Sequence, residues 1–236
     1  MPVGQLRVWH VYPDAVLLQQ RAVEAIGRLA AEAIAARGAF HIVLAGGNTP
    51  RAIYQLMRGL DADWSAWHVY FGDERCLPVT HAERNSVMAR QAWLGQVAIP
   101  AEQIHAIPGE LGSDEAARRY VATLDGVDDF DLVLLGLGED GHTASLFPGR
   151  VLGEEGASPS VLAVDDAPKP PAQRVSLSAW RLGRARQVWF MVTGAAKGEA
   201  VKAWHRGDGI PAAAIRPTAG VDVFIEACCY WGEGHE

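Results

Sequence analysis

Cysteine is scarce in this chain, and positive charge is outnumbered. Only Cys76, Cys228 and Cys229 occur among 236 residues, too few for a disulfide framework and at no metal-ligand spacing. A reducing, cytoplasmic setting is therefore expected. The adjacent Cys228 and Cys229 cannot readily bridge, and no role is assigned to them. Lys and Arg number 21 against 28 Asp and Glu, a formal charge of −7, which argues against nucleic acid or an anionic membrane as the main partner. A small anionic ligand remains open, because a few converging cations can reverse the local potential. No apolar run approaches the ~20 residues that span a bilayer. The start, Met1-Pro2-Val3-Gly4, shows no basic stretch followed by an apolar one, so no secretory signal is expected.

Several chemical signatures are also missing. There is no Walker A motif and no G-x-G-x-x-G fingerprint, so no nucleotide is implied. No Gly-x-Ser-x-Gly elbow offers a serine nucleophile. Internal repeats, low-complexity tracts and long linkers are absent too, and a single domain over 1–236 is expected.

What the chain does contain is alternation. Apolar residues make up 49% of it and charged residues 21%, ordinary values for a folded protein. Residues 6–12 (LRVWHVY) read as a strand. Asp14 then caps an amphipathic helix running to Arg37, where Leu18, Ala22, Ile26, Leu29 and Ala33 recur at helical spacing and Gly38 ends the run. Strands follow at 40–45 (FHIVLA), 67–71, 103–107, 130–135 (FDLVLL), 174–177, 187–192 and 221–225. Between them helices are expected from about Pro50, at 82–94, at 113–124 with Ser113 as cap, and at 195–205. Residues 150–171, rich in Gly, Pro and acids, read as irregular. This strand–helix alternation predicts an α/β fold: a Rossmann-like open, mostly parallel sheet with helices on both faces.

In such sheets ligands bind beyond the C-terminal ends of the strands, which selects three loops. Gly46-Gly47-Asn48-Thr49-Pro50 could bring backbone N–H groups and a helix N-terminus close to an anion, with Thr49 adding a hydroxyl; a tight strand-to-helix turn is the plain alternative. Gly72-Asp73-Glu74-Arg75 sets two carboxylates and a guanidinium directly after a buried strand, either as a surface ion-pair cluster or as a site. The loop 136–145 carries Asp140 and His142 among three glycines. Histidine titrates near neutrality, so His142 is the best-placed general base, with a carboxylate to fix its tautomer. The competing role is a simple helix cap. His142 and Asp140 lack further ligands at a zinc-like spacing, so no metal is expected. The other histidines and the eight tryptophans read as packing or surface residues.

Taken together, LAGGNTP at 44–50, VYFGDER at 69–75, FDLVLLGLGEDGHTASLFPG at 130–149, RVSLS at 174–178 and VTGAAK at 192–197 resemble the 6-phosphogluconolactonase family, which shares a superfamily with glucosamine-6-phosphate deaminase. The resemblance implies a cytoplasmic, cofactor-free hydrolase of the pentose phosphate pathway. It would open the sugar-phosphate lactone 6-phospho-D-glucono-1,5-lactone to 6-phosphogluconate. Separately, a monomer or weak homodimer is expected. The resemblance also implies His142 as the base activating water, Asp73 and Asp140 as acidic site residues, and Arg75 as a group distinctive of the lactonase branch. Arg174 and Lys197 would hold the substrate phosphate, aided by Gly46, Gly47, Asn48 and Thr49. Whether Asp73 or Asp140 orients His142 stays open. Asn48 stands where Ser is usual, and Glu139 where Pro often occurs.

Two other readings compete. An amino-sugar-phosphate isomerase–deaminase would carry a glutamate after the histidine loop, whereas residues 144–149 read ASLFPG. A non-catalytic sugar-phosphate sensor would be expected to carry a DNA-binding segment, and none is seen before Leu6 or after Ile225.

Overall fold

The computed structural model describes residues 5–230. Its first elements follow from capping and periodicity. Strand β1 spans Arg7–Tyr12 and helix α1 Ala15–Arg37. The Asp14 carboxylate accepts the Leu17 N–H at 2.8 Å, and Gly38 leaves the helix at φ 80°, a left-handed conformation that glycine adopts without steric cost. Leu18, Ala22, Ile26, Ala30 and Ala33 line the buried face of α1.

The remaining strands are β2 (Phe40–Leu44), β3 (Trp67–Phe71), β4 (Asp73–Arg75), β5 (Ile104–His105), β6 (Phe130–Gly136), β7 (Val161–Val164), β8 (Arg174–Leu177), β9 (Ala185–Val192) and β10 (Val221–Glu226). The helices are α2 (Asn48–Met57), α3 (Asn85–Ala89), α4 (Ser113–Thr123), α5 (Ala179–Gly183) and α6 (Gly198–Arg206). Seven strands form one parallel sheet in the order β1-β10-β9-β6-β2-β3-β5. Its centre, β6, is buried from Phe130 to Leu135, as the continuous apolar run requires. Truncating one of these leucines to Ala should cost about 2–5 kcal/mol.

Asp131 interrupts that run at the N-terminal end of the sheet. Its carboxylate accepts the Arg37 guanidinium at 2.7 Å and the His41 N–H at 2.8 Å, so a charge buried in a strand is fully paired.

The structure departs from the sequence expectation in six places. The strand at 174–177 does not join the main sheet. It pairs antiparallel with β4 and β7 in a separate three-stranded sheet, and β7 lies inside the segment read as irregular. Short strands of this kind carry too little periodicity to stand out. The helix expected at 82–94 begins only at Asn85 and continues as a π-helical turn over Arg90–Leu94. Ser113 is not a cap: Gly112, at φ 83°, holds that position, and the Ser113 hydroxyl donates to Asp165 at 2.5 Å. The strand at 103–107 shrinks to Ile104–His105, and the helix expected from 195 opens with a 3-10 turn over Ala195–Lys197.

Strand order places the site. β6 lies between β9 and β2, and Val43 pairs with Val133, so the loops that leave β2 and β6 emerge side by side. β3 is the next strand along, and the Gly72 N–H after it donates to the Leu44 carbonyl at 2.9 Å. The three polar loops therefore meet at one end of the sheet, where connections diverge and a crevice opens.

Candidate active site

A cleft of about 360 Å³ opens over these strand ends, lined by Gly46, Gly47, Asp73, Arg75, His142, Arg174 and Lys197 among others. A larger open groove of about 1190 Å³ lies elsewhere, with Glu154, Trp180 and Arg216 on its walls and none of these groups. Convergence of chemistry, rather than size, marks the smaller cleft as the site.

The His142 ring is set by its own loop. Nδ1 lies 2.5 Å from Oδ1 of Asp140, and the His142 N–H also donates to that oxygen at 3.2 Å. The Gly138 N–H donates to the His142 carbonyl at 2.7 Å, closing the loop. Gly138 has to be glycine: a Cβ there would stand 2.0 Å from Nδ1 and 2.6 Å from Oδ1 of Asp140. Burial pushes the Asp140 carboxyl up, but the hydrogen bond and charge of His142 outweigh it and hold the group below its usual range. With Nδ1 donating to the carboxylate, Nε2 is left as the free basic nitrogen, a tautomer assigned from this hydrogen bond. Phe147 packs against the imidazole with ring centroids 4.9 Å apart.

No helix follows His142, which removes the helix-cap alternative. The chain instead forms a tight turn in which the Leu146 N–H donates to the Thr143 carbonyl at 2.9 Å. Ala144 takes φ 48°, the one positive φ outside glycine among the described residues. A strained residue persists only where its surroundings hold it. Here the Thr143 hydroxyl donates to the Gly136 carbonyl at 2.9 Å, and the Ser145 hydroxyl donates to Asp73 at 2.6 Å.

Asp73 and Glu74, neighbours in sequence, have separate tasks. Asp73 lines the cleft, with one oxygen accepting from Ser145 and the other from Asn85 Nδ2 at 2.9 Å. Glu74 is wholly buried below it. Its carboxylate accepts the N–H groups of Asn85 at 2.7 Å and Ser86 at 2.9 Å, and the Arg84 guanidinium at 3.4 Å. Glu74 thus closes the N-terminus of α3 and belongs to the scaffold. Asn85, which sequence reasoning missed, lines the cleft and ties Asp73 to the glycine loop. A Cβ on Gly46 would fall 2.1 Å from its Oδ1.

The expected anion-binding groups divide. Gly47, at φ 104°, lines the cleft and precedes α2, whose N-terminus has no side-chain cap, so its first N–H groups keep no intrahelical partner. Thr49 Oγ1 lies 2.6 Å from Thr193 Oγ1, joining this loop to the one after β9. Asn48 is exposed, and neither it nor Thr49 nor Asp140 lines the cleft itself. Arg75 Nη1 donates to the Glu83 carbonyl at 2.5 Å, while its buried Nε has no partner among the described residues. Arg174 is buried, and burial lowers its basicity while the nearby Asp73 charge opposes that shift. Lys169 also lines the cleft and carried no sequence signal beyond its flanking prolines.

Cysteine chemistry has no support: burial raises Cys76 to about 11, with Asp165 and Glu74 adding to the shift. No group of three or more His, Cys, Asp or Glu side chains among the described residues is arranged to hold a metal ion. No described helix is long and apolar enough to cross a membrane.

Comparison with known proteins matches residues 13–224 to the family described as glucosamine-6-phosphate isomerases/6-phosphogluconolactonase. A 6-phosphogluconolactonase of Mycobacterium leprae is 38% identical over 224 residues, 89% of this chain and 89% of that protein. A probable chloroplastic 6-phosphogluconolactonase 3 of rice is also 38% identical, over 74% of this chain, and the match spans 58% of the rice protein's length. The crystal structure of a Thermotoga maritima 6-phosphogluconolactonase superposes with a TM-score of 0.87 at 24% identity, covering 94% of this chain and all of that one. At that identity the likeness speaks for the fold.

Proposed function

Given that the chain belongs to the glucosamine-6-phosphate isomerase/6-phosphogluconolactonase family, we propose that it hydrolyses 6-phospho-D-glucono-1,5-lactone to 6-phosphogluconate. The observation that carries this reading is His142, held by Asp140, on the wall of a cleft that also presents Arg174 and Lys197. A neutral imidazole with Nδ1 held by a carboxylate is a general base, and cations beyond it suit a phosphate at the far end of a short sugar acid.

In this mechanism the phosphate is anchored near Lys197, Arg174 and the Gly46–Gly47 turn, which sets the lactone carbonyl beside His142. Water attacks C1 as Nε2 takes its proton. The developing oxyanion is stabilised by Arg75 or by backbone N–H groups of the loops. The C1–O5 bond then breaks, and the ring oxygen takes the proton back from the imidazolium that Asp140 stabilises. General-base assistance of about 10²–10⁴ together with positioning suffices for a lactone that also opens spontaneously.

The same family includes isomerases, and the residues after His142 favour hydrolysis. Across 144–149 the turn contains no carboxylate that could serve sugar ring opening. Ser145 instead fixes Asp73, and Phe147 packs on the histidine. A sensor without turnover has less support, since the base and its orienting acid are both in place. We take the chain to work as one domain in the cytoplasm, as a monomer or weak dimer, with no cofactor.

The test is a coupled assay on freshly generated 6-phosphogluconolactone beside the unphosphorylated lactone. A strong preference for the phosphorylated form is expected. Ammonia release from glucosamine 6-phosphate would instead establish the deaminase, and binding without turnover the sensor.

A further inference from the structure

Arg174, expected to hold phosphate, spends most of its guanidinium on the protein itself. Nε donates to the Pro171 carbonyl at 3.1 Å, and Nη2 donates to the carbonyls of Lys169 at 2.9 Å and Pro170 at 3.2 Å. A buried arginine is costly to desolvate, so three bonds to one short segment signify that the segment's position matters. That segment is Pro168-Lys169-Pro170-Pro171. Proline fixes its own φ and restricts the residue before it, which removes most of the backbone freedom around Lys169. The one side chain this rigid strap presents to the cleft with a charge is Lys169.

Lys169 is also left unneutralised. The nearby acids are engaged elsewhere: Asp165 accepts from Ser113 at 2.5 Å and Asp166 pairs with Arg150 at 2.7 Å. Among the described residues neither Lys169 nor Lys197 forms an ion pair, and both line the same cleft. In a chain with a formal charge of −7, two unpaired ammonium groups at one opening create a local anion site that the net charge conceals.

We propose that Lys169 is a phosphate-binding, specificity-determining residue of this cleft, and that Arg174 serves it as a positioning residue by pinning the strap. The ligand class is a phosphate monoester of a small polyhydroxy acid or lactone, so the inference rests on the lactonase reading above. Pre-organisation is the physical gain, because a lysine on a locked strap loses little backbone entropy when it binds. Arg174 also reaches the reacting end: its guanidinium lies 5.7 Å from the Phe147 ring that packs on His142. A shift of the strap would therefore be felt at the imidazole.

The experiment compares wild type, Lys169→Met and Lys169→Arg on the phosphorylated and unphosphorylated lactones. In parallel, inorganic phosphate is titrated against the melting temperature of each protein. Lys169→Met should raise KM for the phosphorylated lactone by about tenfold more than for the unphosphorylated one, the scale of one charged hydrogen bond. Lys169→Arg should recover most of that loss, and the phosphate midpoint should move in parallel with KM. Equal losses on both lactones would make Lys169 merely structural, and Lys169→Met behaving as wild type in both assays would overturn its role while leaving the lactonase reading intact. If wild type turns over neither lactone yet phosphate still separates it from Lys169→Met, the lactonase reading fails and the anion site stands.

Discussion

Asp140 Oδ1 and His142 Nδ1 stand 2.5 Å apart, and this contact decides which of two candidate acids orients the histidine. Asp73 is the more buried of the two, but its oxygens are committed to Ser145 and Asn85. Asp140, partly exposed and two residues from the ring, does the orienting. Asp140→Asn should therefore reverse the tautomer preference and lower kcat by two or more orders of magnitude, with KM little changed. His142→Ala should cost about 10²–10⁴ in kcat. Stopped-flow acid release, corrected for spontaneous lactone opening, measures both, and near-wild-type rates in either variant would remove the pair from the mechanism.

Two glycines of the same loop should respond oppositely to one methyl group. At Gly138 a Cβ meets Nδ1 of His142 at 2.0 Å, whereas at Gly136 nothing lies within 4 Å. Gly138→Ala is expected to abolish turnover by displacing the pair, and Gly136→Ala, whose methyl group would enter the cleft itself, to leave the pair in place and act chiefly on KM. Similar kinetics in the two variants would mean that the loop is softer than its hydrogen bonds imply.

Asn85 should act through Asp73. Asn85→Ala removes two hydrogen bonds from Nδ2, to the carbonyl and the carboxylate of Asp73, and frees the space that now excludes a side chain at Gly46. The expected result is a fall in kcat/KM of about tenfold or more from one buried charged hydrogen bond. Gly46→Ala in the Asn85→Ala background should be better tolerated than Gly46→Ala alone. Additive losses in that double-mutant cycle would show that the two positions do not share the space.

Glu74 should prove a stability residue. Removing its carboxylate leaves two N–H groups of α3 and part of the buried Arg84 unsatisfied, although Arg84 keeps Glu110 at 2.8 Å. Glu74→Ala is expected to cost about 3–5 kcal/mol in denaturant unfolding. A loss below about 1 kcal/mol, the range of exposed pairs, would contradict this assignment.

Acid should weaken the fold through a stack of imidazoles on β2, β3 and β5. His41 and His68 rings lie 4.7 Å apart, and those of His68 and His105 5.8 Å. Burial lowers the pKa of all three, and charge repulsion within the stack adds to the shift for His41 and His105, while Asp131 opposes it for His41. The fold thus prefers neutral rings. Their contribution is complete above the ordinary histidine value of about 6.5 and is lost as pH falls through the lowered values, where the unfolded chain binds more protons. Melting temperature should drop as pH falls below about 6.5, and His68→Asn should flatten that dependence. An unchanged slope in the variant would place the acid sensitivity elsewhere.

Much of this architecture could be read locally. Asp14, the apolar spacing of α1 and Gly38 mark a helix with both ends, because capping and periodicity act within a few residues. The FDLVLL run marks the central strand, since only a strand covered on both faces carries so continuous an apolar surface. The loops after the strands marked where chemistry would gather, and Asp140 lies close enough to His142 in sequence for their pairing to be foreseen as one of two choices.

The rest depended on contacts between distant segments. Ser145 reaches Asp73 across 72 residues, and Arg174 joins a small antiparallel sheet whose strands are too short to show a pattern. That Asp73 faces the cleft while Glu74 is buried beneath it follows from the alternation of β4, visible only once β8 is seen beside it. Lys169 becomes a candidate ligand because Arg174 pins the strap that carries it and the nearby acids pair elsewhere. Local sequence determined α1, the central strands and the histidine loop, because those rest on short-range geometry. Tertiary packing alone decided which charged groups were consumed by the scaffold and which were left facing the cleft, because burial and pairing are properties of the assembled chain.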